Sequence, residues 1–412
     1  MRSNFLHSRR PPSNKKQVAR FCVLVLFLCA LFGNSFPQEF KTVHDGVEYA
    51  LVDHKLGDDP VKINLLRLDL TKVRIDVHHA LDAAIGVETT SSIATRRRAI
   101  AAINAGFFRL DKSAFAGDAA GILIIDGELL SEAERQRIAL RIVNGKKKTD
   151  VSFVHRDAQA WFYFGDAGAQ IKLSGINRER KDGEIVAYDS SFGGSAPATA
   201  AGTDIVLRGC RRKVIEKTVA KICSELEIIE GTAPTSIPRE GYVLSLGADS
   251  RTSKSTLLRD LRIYLEQKQK KMTFGIRVED SLLSMFGGPE ETEDSVNGVP
   301  QLIKGGRIDI TWEQEKASKS FAEARHPRTA VAKLKDGKFL MITVDGRQPG
   351  VSVGMNLQEL AEYLLSIGAA DAMNLDGGGS TTMFLNGRVV NKPSDKDGER
   401  KVSDAILVTL RK

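Results

Sequence analysis

Two aspartates stand before glycines near the C-terminal end of the chain, at Asp345-Gly346 and at Asp376-Gly377-Gly378-Gly379-Ser380. Two carboxylates brought together can serve as the acid/base or nucleophile pair of glycoside cleavage. They can also hold a divalent cation, or do no more than turn the chain, for which Asp-Gly is suited. The three glycines after Asp376 add a second capability. A Gly-Gly-Gly-Ser-Thr run lets successive N–H groups converge on an anion, with hydroxyls from Ser380, Thr381 and Thr382 close by. The run is neither a P-loop, because no Gly-Lys-Ser/Thr follows, nor a nucleophile elbow, because it lacks the closing glycine of GxSxG.

Cations lie beside these acids. Arg347 is two residues past Asp345, and His326-Pro327-Arg328-Thr329 precedes an apolar run from Ala330. An arginine fork fits a phosphate or carboxylate bidentately, or simply pairs with a neighbouring aspartate. His326 could transfer protons, or owe its place to the proline after it. Earlier in the chain, Gly106 and the aromatics of Asn104-Ala105-Gly106-Phe107-Phe108 could line a pocket or fill the core.

Something must carry Asp345 and Asp376 to one place. Phe339 to Val344 is an apolar, β-rich run that stops at Asp345. Asn356 with Glu359 forms a capping box, Leu357, Leu360, Ala361, Leu364 and Leu365 repeat at helical spacing, and Gly368 ends the helix. A second strand, Asp371 to Leu375, ends at Asp376. Strand, helix, strand makes a parallel crossover, so both aspartates leave the same sheet edge. Their backbones are then ~5 Å apart for neighbouring strands and ~10 Å apart with one strand between. Asn386-Gly387 closes a hairpin from Thr382–Leu385 to Arg388–Val390.

Upstream, Val61–Leu70, Val73–Val77, Ala99–Ile103, Gly121–Ile125, Arg137–Val143 and Gly241–Leu246 read as strands. The expected class is α+β: a strand-rich mixed sheet core with flanking helices, the β-α-β unit and the hairpin. Residues 36–412 are expected to form one domain, with an insertion about 205–280. The stretch 145–280 yields few clear signals.

The N-terminus looks like an export signal, assigned to residues 1–35. Its first 20 residues hold six basic and no acidic side chains, and an apolar run follows from Phe21 to Gly33. An uncleaved anchor is the rival, but a span needs about 20 apolar residues, so the mature chain is read as secreted or periplasmic, without a membrane span. Six of the 60 Lys and Arg fall before residue 36, leaving 54 against 52 Asp and Glu, a net of +2 rather than +8. No basic stripe favours nucleic acid. The mature chain keeps two cysteines, Cys210 and Cys223, which in an oxidising compartment form a disulfide unless both are simply buried thiols. No CxxC or HExxH is present, so no zinc site is expected.

The segments INAGFF (103–108), HPRTAVA (326–332), TVDGRQPGVSVGMNLQELAEYL (343–364), NLDGGGSTTMFLNGRVVNKPSD (374–395) and GERKVSDAILV (398–408) together resemble the phosphodiester glycosidase family. Ala105 stands where that family usually has a second glycine. The resemblance implies an exported hydrolase that cleaves the glycosidic bond of a sugar-1-phosphodiester of N-acetylglucosamine type, on cell-surface or extracellular glycans. It implies Asp345, Asp376, Arg328, Arg347 and His326 as catalytic residues. Asn104, Gly106, Asn374, Gly378, Gly379, Ser380 and Thr381 would bind substrate. No cofactor is implied, although Asp345 and Asp376 could together hold a divalent cation. The role of each aspartate stays open. So do two other readings: a metal-dependent phosphodiesterase attacking phosphorus, and a non-catalytic module that binds polysaccharide phosphate.

Overall fold

Val73, Ile75 and Val77 are buried while Arg74, Asp76 and His78 between them are half-exposed. This period-two alternation makes a strand with one face on the core, and it recurs along most of the chain. The computed structural model describes residues 38–133, 137–155, 158–165, 169–198, 202–215, 218–247, 253–267, 273–280 and 292–411. The expected export signal lies outside the described residues. Phe40–Lys412 forms one compact unit. Among the described residues no helix is long and apolar enough to cross a membrane.

The elements that carry the site are β1 (Asp59–Leu68), β2 (Val73–His79), β3 (Ala101–Asn104), β4 (Arg328–Leu334), β5 (Phe339–Val344), α1 (Leu357–Ser366), β6 (Ala369–Asn374), β7 (Met383–Leu385) and β8 (Asp404–Leu410). One eight-stranded sheet runs Lys41–His44, Val47–Leu56, β1, β5, β4, β6, Gln301–Lys304, Arg307–Ile308, with every neighbouring pair antiparallel. Because β4 is antiparallel to both β5 and β6, those two run parallel with β4 between them. Asp345 and Asp376 therefore leave the same edge, their strands two sheet spacings apart, ~10 Å. α1 crosses over, capped at Asn356 by the reciprocal Asn356–Glu359 box, and Gly368 follows it in left-handed backbone. Its Leu357, Leu360, Ala361 and Leu364 pack on Leu65, Ala330 and Ile342.

The sheet's other face meets a second one, ordered Arg388–Val389, β7, β3, β8, β2. Leu66, Val331, Met341 and Met373 from the first pack with Ile75, Ile103, Ile406 and Val408 from the second. Asn386-Gly387 closes the hairpin between β7 and Arg388–Val389, both residues in left-handed backbone. A third sheet joins this core through Leu123, Leu140, Ile142 and Val296.

The middle of the chain folds as two five-stranded sheets around their own core of Phe162, Ala187, Leu207, Leu244 and Phe274. Strands from 158–189 interleave there with strands from 202–280. The Cys210–Cys223 disulfide joins that core.

The expected α+β class is corrected by this arrangement. Strands dominate, the sheets are antiparallel almost throughout, and helices are few. Among the described residues the only adjacent parallel pairing is Gly175–Ile176 with Ile185–Asp189. The physical reason is that most sheet faces are covered by other sheets; among the described residues the longer helices are α1, on the first sheet, and Ser253–Gln267, whose Leu257 and Leu261 join the core of the middle sheets.

Candidate active site

Asp345 and Asp376 sit on two loops tied together by Asn391. The Asn391 side chain donates from Nδ2 to the Asp345 carboxylate at 3.2 Å and to the Thr381 carbonyl at 3.0 Å, and accepts the Met383 N–H. Asp345 is almost fully buried. The backbone N–H of Lys392 also donates to it, at 3.2 Å, and burial raises its carboxyl pKa against the pull of Asn391, Lys392 and Lys62. Asp376 is half-buried. Burial pushes its carboxyl up to about 6, with Asp404 adding to the rise, while Ser380, the Gly377 amide and Arg400 work against it. The Gly377 N–H donates to it at 2.9 Å; the Ser380 hydroxyl is close but forms no hydrogen bond of ordinary geometry.

A third loop, after β3, locks the Asp376 backbone. Asn104 is fully buried, donating to the Asp376 carbonyl at 2.7 Å and accepting from the Thr329 hydroxyl and the Thr382 N–H. The Asp376 N–H in turn donates to the Ala105 carbonyl. Gly106 is buried too. Its N–H donates to Asp404, and a Cβ there would meet Asn297 Nδ2 at 2.9 Å. Asn104 and Gly106 thus order the site from behind. Asn374 is likewise fully enclosed, donating to the carbonyls of Val299 and Leu375.

The glycine turn differs from an open anion nest. The N–H groups of Gly377, Gly378, Ser380 and Thr381 are all spent within the protein, on Asp376, Pro327, Gly377 and Gly378 respectively. Gly378 has φ +61, and a Cβ there would lie 3.2 Å from Arg347 Nη2, so the turn needs glycine for its backbone and for the arginine laid against it. The buried hydroxyls of Ser380, Thr381 and Thr382 and the Asn374 Oδ1 have no hydrogen-bond partner within the protein. Buried polar atoms are normally paired; these four fall within nine residues and are enclosed by the protein, out of a ligand's direct reach.

The two arginines separate. Arg347 is exposed and in left-handed backbone (φ +59), which a residue other than glycine adopts at a cost. Its Nη2 lies 3.4 Å from His326 Nδ1, and burial, Arg328 and Arg347 all lower the His326 pKa, leaving a neutral imidazole at neutral pH. Arg328 is 1% exposed. It donates from Nε to the Met355 carbonyl and from Nη2 to the carbonyls of Phe321 and Ala324, and its guanidinium covers the Phe321 ring. Alternation along β4 explains this: Thr329 faces Asn104 between the sheets, so Arg328 faces the opposite side. Arg328 acts on the loop rather than reaching into the site.

Sequence reasoning did not single out Asn391, Lys392, Asp395, Arg400 or Asp404, all within or beside the quoted C-terminal segments. Their spacing gives no signal; only folding brings them to Asp345, the glycine turn and Gly106. Among the described residues no three His, Cys, Asp or Glu side chains converge as a metal cluster.

Two strand-end carboxylates, a flanking arginine and a glycine turn thus lie together at one edge of the first sheet. Residues 227–409 match the model of the phosphodiester glycosidase family. The chain is 36% identical over 157 residues to bovine N-acetylglucosamine-1-phosphodiester alpha-N-acetylglucosaminidase, covering 33% of this chain and 29% of that protein. The human enzyme of the same description is 36% identical over 139 residues, covering 30% and 26%. The match thus spans less than a third of those relatives' length. Among solved structures, a Synechocystis protein described as hypothetical superposes with TM-score 0.70 at 19% identity, covering 92% of this chain and 64% of that one. That likeness shows shared fold.

Proposed function

We propose that the chain is an exported hydrolase that cleaves the glycosidic bond of a sugar-1-phosphodiester, with an N-acetylglucosamine-type sugar. The observation that carries this reading is Asp345 and Asp376 at one sheet edge, with the exposed Arg347 laid on the glycine turn at Gly378. Its relatives act on N-acetylglucosamine-1-phosphodiesters, by their descriptions. The leaving phosphate monoester is a weak base, so the site needs little general-acid help. Arg347 grips the diester anion. Asp376, whose pKa of about 6 lies near neutrality, takes a proton from water as the water oxygen bonds to the anomeric carbon. Asp345, fixed by Asn391 and the Lys392 amide, faces the positive charge that develops at that carbon. The bond from the anomeric carbon to the phosphate oxygen breaks, and the electron pair leaves with the phosphate. His326 and Arg328 shape the loop that presents Arg347. The substrate lies on cell-surface or extracellular glycans.

Incubation of the protein with a synthetic N-acetylglucosamine-1-phosphodiester in heavy-oxygen water tests this. Label in the released sugar supports the reading. Label in the phosphate, with activity abolished by chelation, would establish a metal-dependent phosphodiesterase. Tight binding without turnover would establish a non-catalytic module.

A further inference from the structure

We infer that Arg400 forms a second anion subsite at Gly379, oriented by Asp395, and that together with Arg347 it contacts the phosphate of the same sugar-1-phosphodiester. The inference rests on the proposed function for the identity of the anion, and on geometry for the subsite.

Arg400 and Asp395 form a forked pair, Nε to Oδ2 at 2.8 Å and Nη2 to Oδ1 at 3.1 Å. The pair lies directly on Gly379: a Cβ there would meet Arg400 Nη2 and Asp395 Oδ1 at well under van der Waals distance. Arg347 meets the preceding glycine in the same way. Two guanidinium groups therefore flank successive residues of one turn, the turn that begins at Asp376.

The pairing with Asp395 does not exhaust Arg400. Asp395 takes the Nε and Nη2 edge, and among the described residues Nη1 makes no hydrogen bond. An arginine presents five N–H donors in a rigid fork, so one edge held by a carboxylate leaves the other pre-aimed at a second oxyanion. The pair is part-exposed, at 28% for the Arg400 side chain and 33% for Asp395, so a ligand can reach it. The rest of the turn offers an anion little. Four of its amides are bonded internally, and Arg328 is committed to backbone carbonyls. Arg400 is thus a second guanidinium at the turn, beside Arg347, and Asp395 holds its orientation. Glycine at 379 lets the ion pair lie against the turn, where any side chain would push the pair aside.

The test uses the full chain with Arg400→Ala, Arg400→Lys and Asp395→Asn, on an N-acetylglucosamine-1-phosphodiester and on an aryl glycoside of the same sugar. Arg400→Ala should lower kcat/KM on the diester by ~100-fold and on the aryl glycoside by less than ~3-fold, the scale of a lost charge-assisted fork. Lysine should restore part of the loss, having charge without the fork. Asp395→Asn, which breaks the fork that orients Arg400 and also removes a negative charge, should raise KM for the diester by ~10-fold with kcat nearly unchanged if orientation outweighs charge. Equal losses on both substrates, or a fall in melting temperature that accounts for them, would overturn the subsite. Calorimetric binding of inorganic phosphate gives a readout independent of turnover. If phosphate binding weakens in Arg400→Ala while the wild type hydrolyses no diester, the subsite stands and the proposed function falls. If Arg347→Ala loses diester activity selectively and Arg400→Ala does not, the proposed function stands and the subsite falls.

Discussion

The two halves of this molecule solve opposite problems. Around the site, β3, β4, β6, β8 and the glycine turn bring buried polar side chains together: Asn104, Thr329, Asn374, Ser380 and Asp404 are all at most 1% exposed. In the middle of the chain, the sheets built from 158–278 enclose an apolar core fixed by a disulfide, with Phe162, Leu207, Leu244 and Phe274 inside. The first region adds two carboxylates with pKa values pushed upward; the second adds a covalent tie. Substitutions in the first should therefore separate function from stability, and substitutions in the second should not touch chemistry.

The sharpest break in that contrast is Arg328, a polar group near the site whose work is structural. Arg328→Ala leaves three backbone carbonyls without their donor and opens a cavity over Phe321, so it should cost about 4 kcal/mol. Denaturant unfolding measures this. Arg347→Ala, exposed, should leave the unfolding midpoint unchanged while diester hydrolysis collapses. If Arg328→Ala unfolds no more easily than Arg347→Ala, the division of labour between the two arginines is wrong.

Removing the disulfide sharpens the comparison from the other side. Its two cysteines are 13 residues apart, and closing a loop of that length stabilises by ~3 kcal/mol. Cys210→Ser with Cys223→Ser should lower the melting temperature, yet kcat on the diester, read below the new transition, should stay within about twofold. A proportionate loss of kcat would show that the middle region reaches the site.

Asp376→Asn comes next. Turnover should fall by ~100-fold or more, about 2.7 kcal/mol in the barrier. Stability should move the other way. A carboxyl whose folded pKa rises from 3.8 to about 6 holds, between those pH values, a proton that the unfolded chain has released. Stability is thus intact below pH ~4 and declines as pH climbs to ~6, by at most ~3 kcal/mol. Asparagine removes that decline, so the variant should melt above the wild type at pH 7 and level with it at pH 4. The same ionisation should appear as an acid limb near pH 6 in kcat/KM. A pH-independent kcat/KM from pH 5 to 8 would remove Asp376 from the chemistry.

The smallest effect tests the scaffold. Asn356→Ala breaks the capping box of α1, in which the Glu359 N–H donates to Asn356 at 2.8 Å and the Asn356 N–H to Glu359 at 3.0 Å. The loss should be ~1 kcal/mol in stability, with KM and kcat unchanged because α1 lies on the sheet face away from the second sheet. A change in KM would mean that the helix sets the spacing of the two aspartates.

Much of this was legible in the residues. The run from Phe339 to Asp376 declares its strand, cap, helix and second strand through signals that act within a few residues of one another, and the folded chain places those elements within a residue or two of where the pattern does. The hairpin at Asn386-Gly387 is of the same kind, since its backbone is chosen by the two residues themselves. Cys210 and Cys223 are the two cysteines beyond residue 35, and the folded chain joins them. The fold class was not legible, because whether short strands cover each other or are covered by helices depends on which distant strands pair. β1 joins β5, and β3 joins β7 and β8, across hundreds of residues.

What the sequence determined by itself is the local frame: two aspartates at the ends of parallel strands and a glycine turn after the second. What only the tertiary structure decided is the direction of each polar group. Side chains on a strand alternate between faces, so one position along β4 separates Thr329, turned towards Asn104, from Arg328, buried against Phe321. Asn391 and Arg400 reach the site from loops that no periodicity describes. Their positions follow from long-range closure of the two sheets, and a linear pattern of residue types contains no record of that closure.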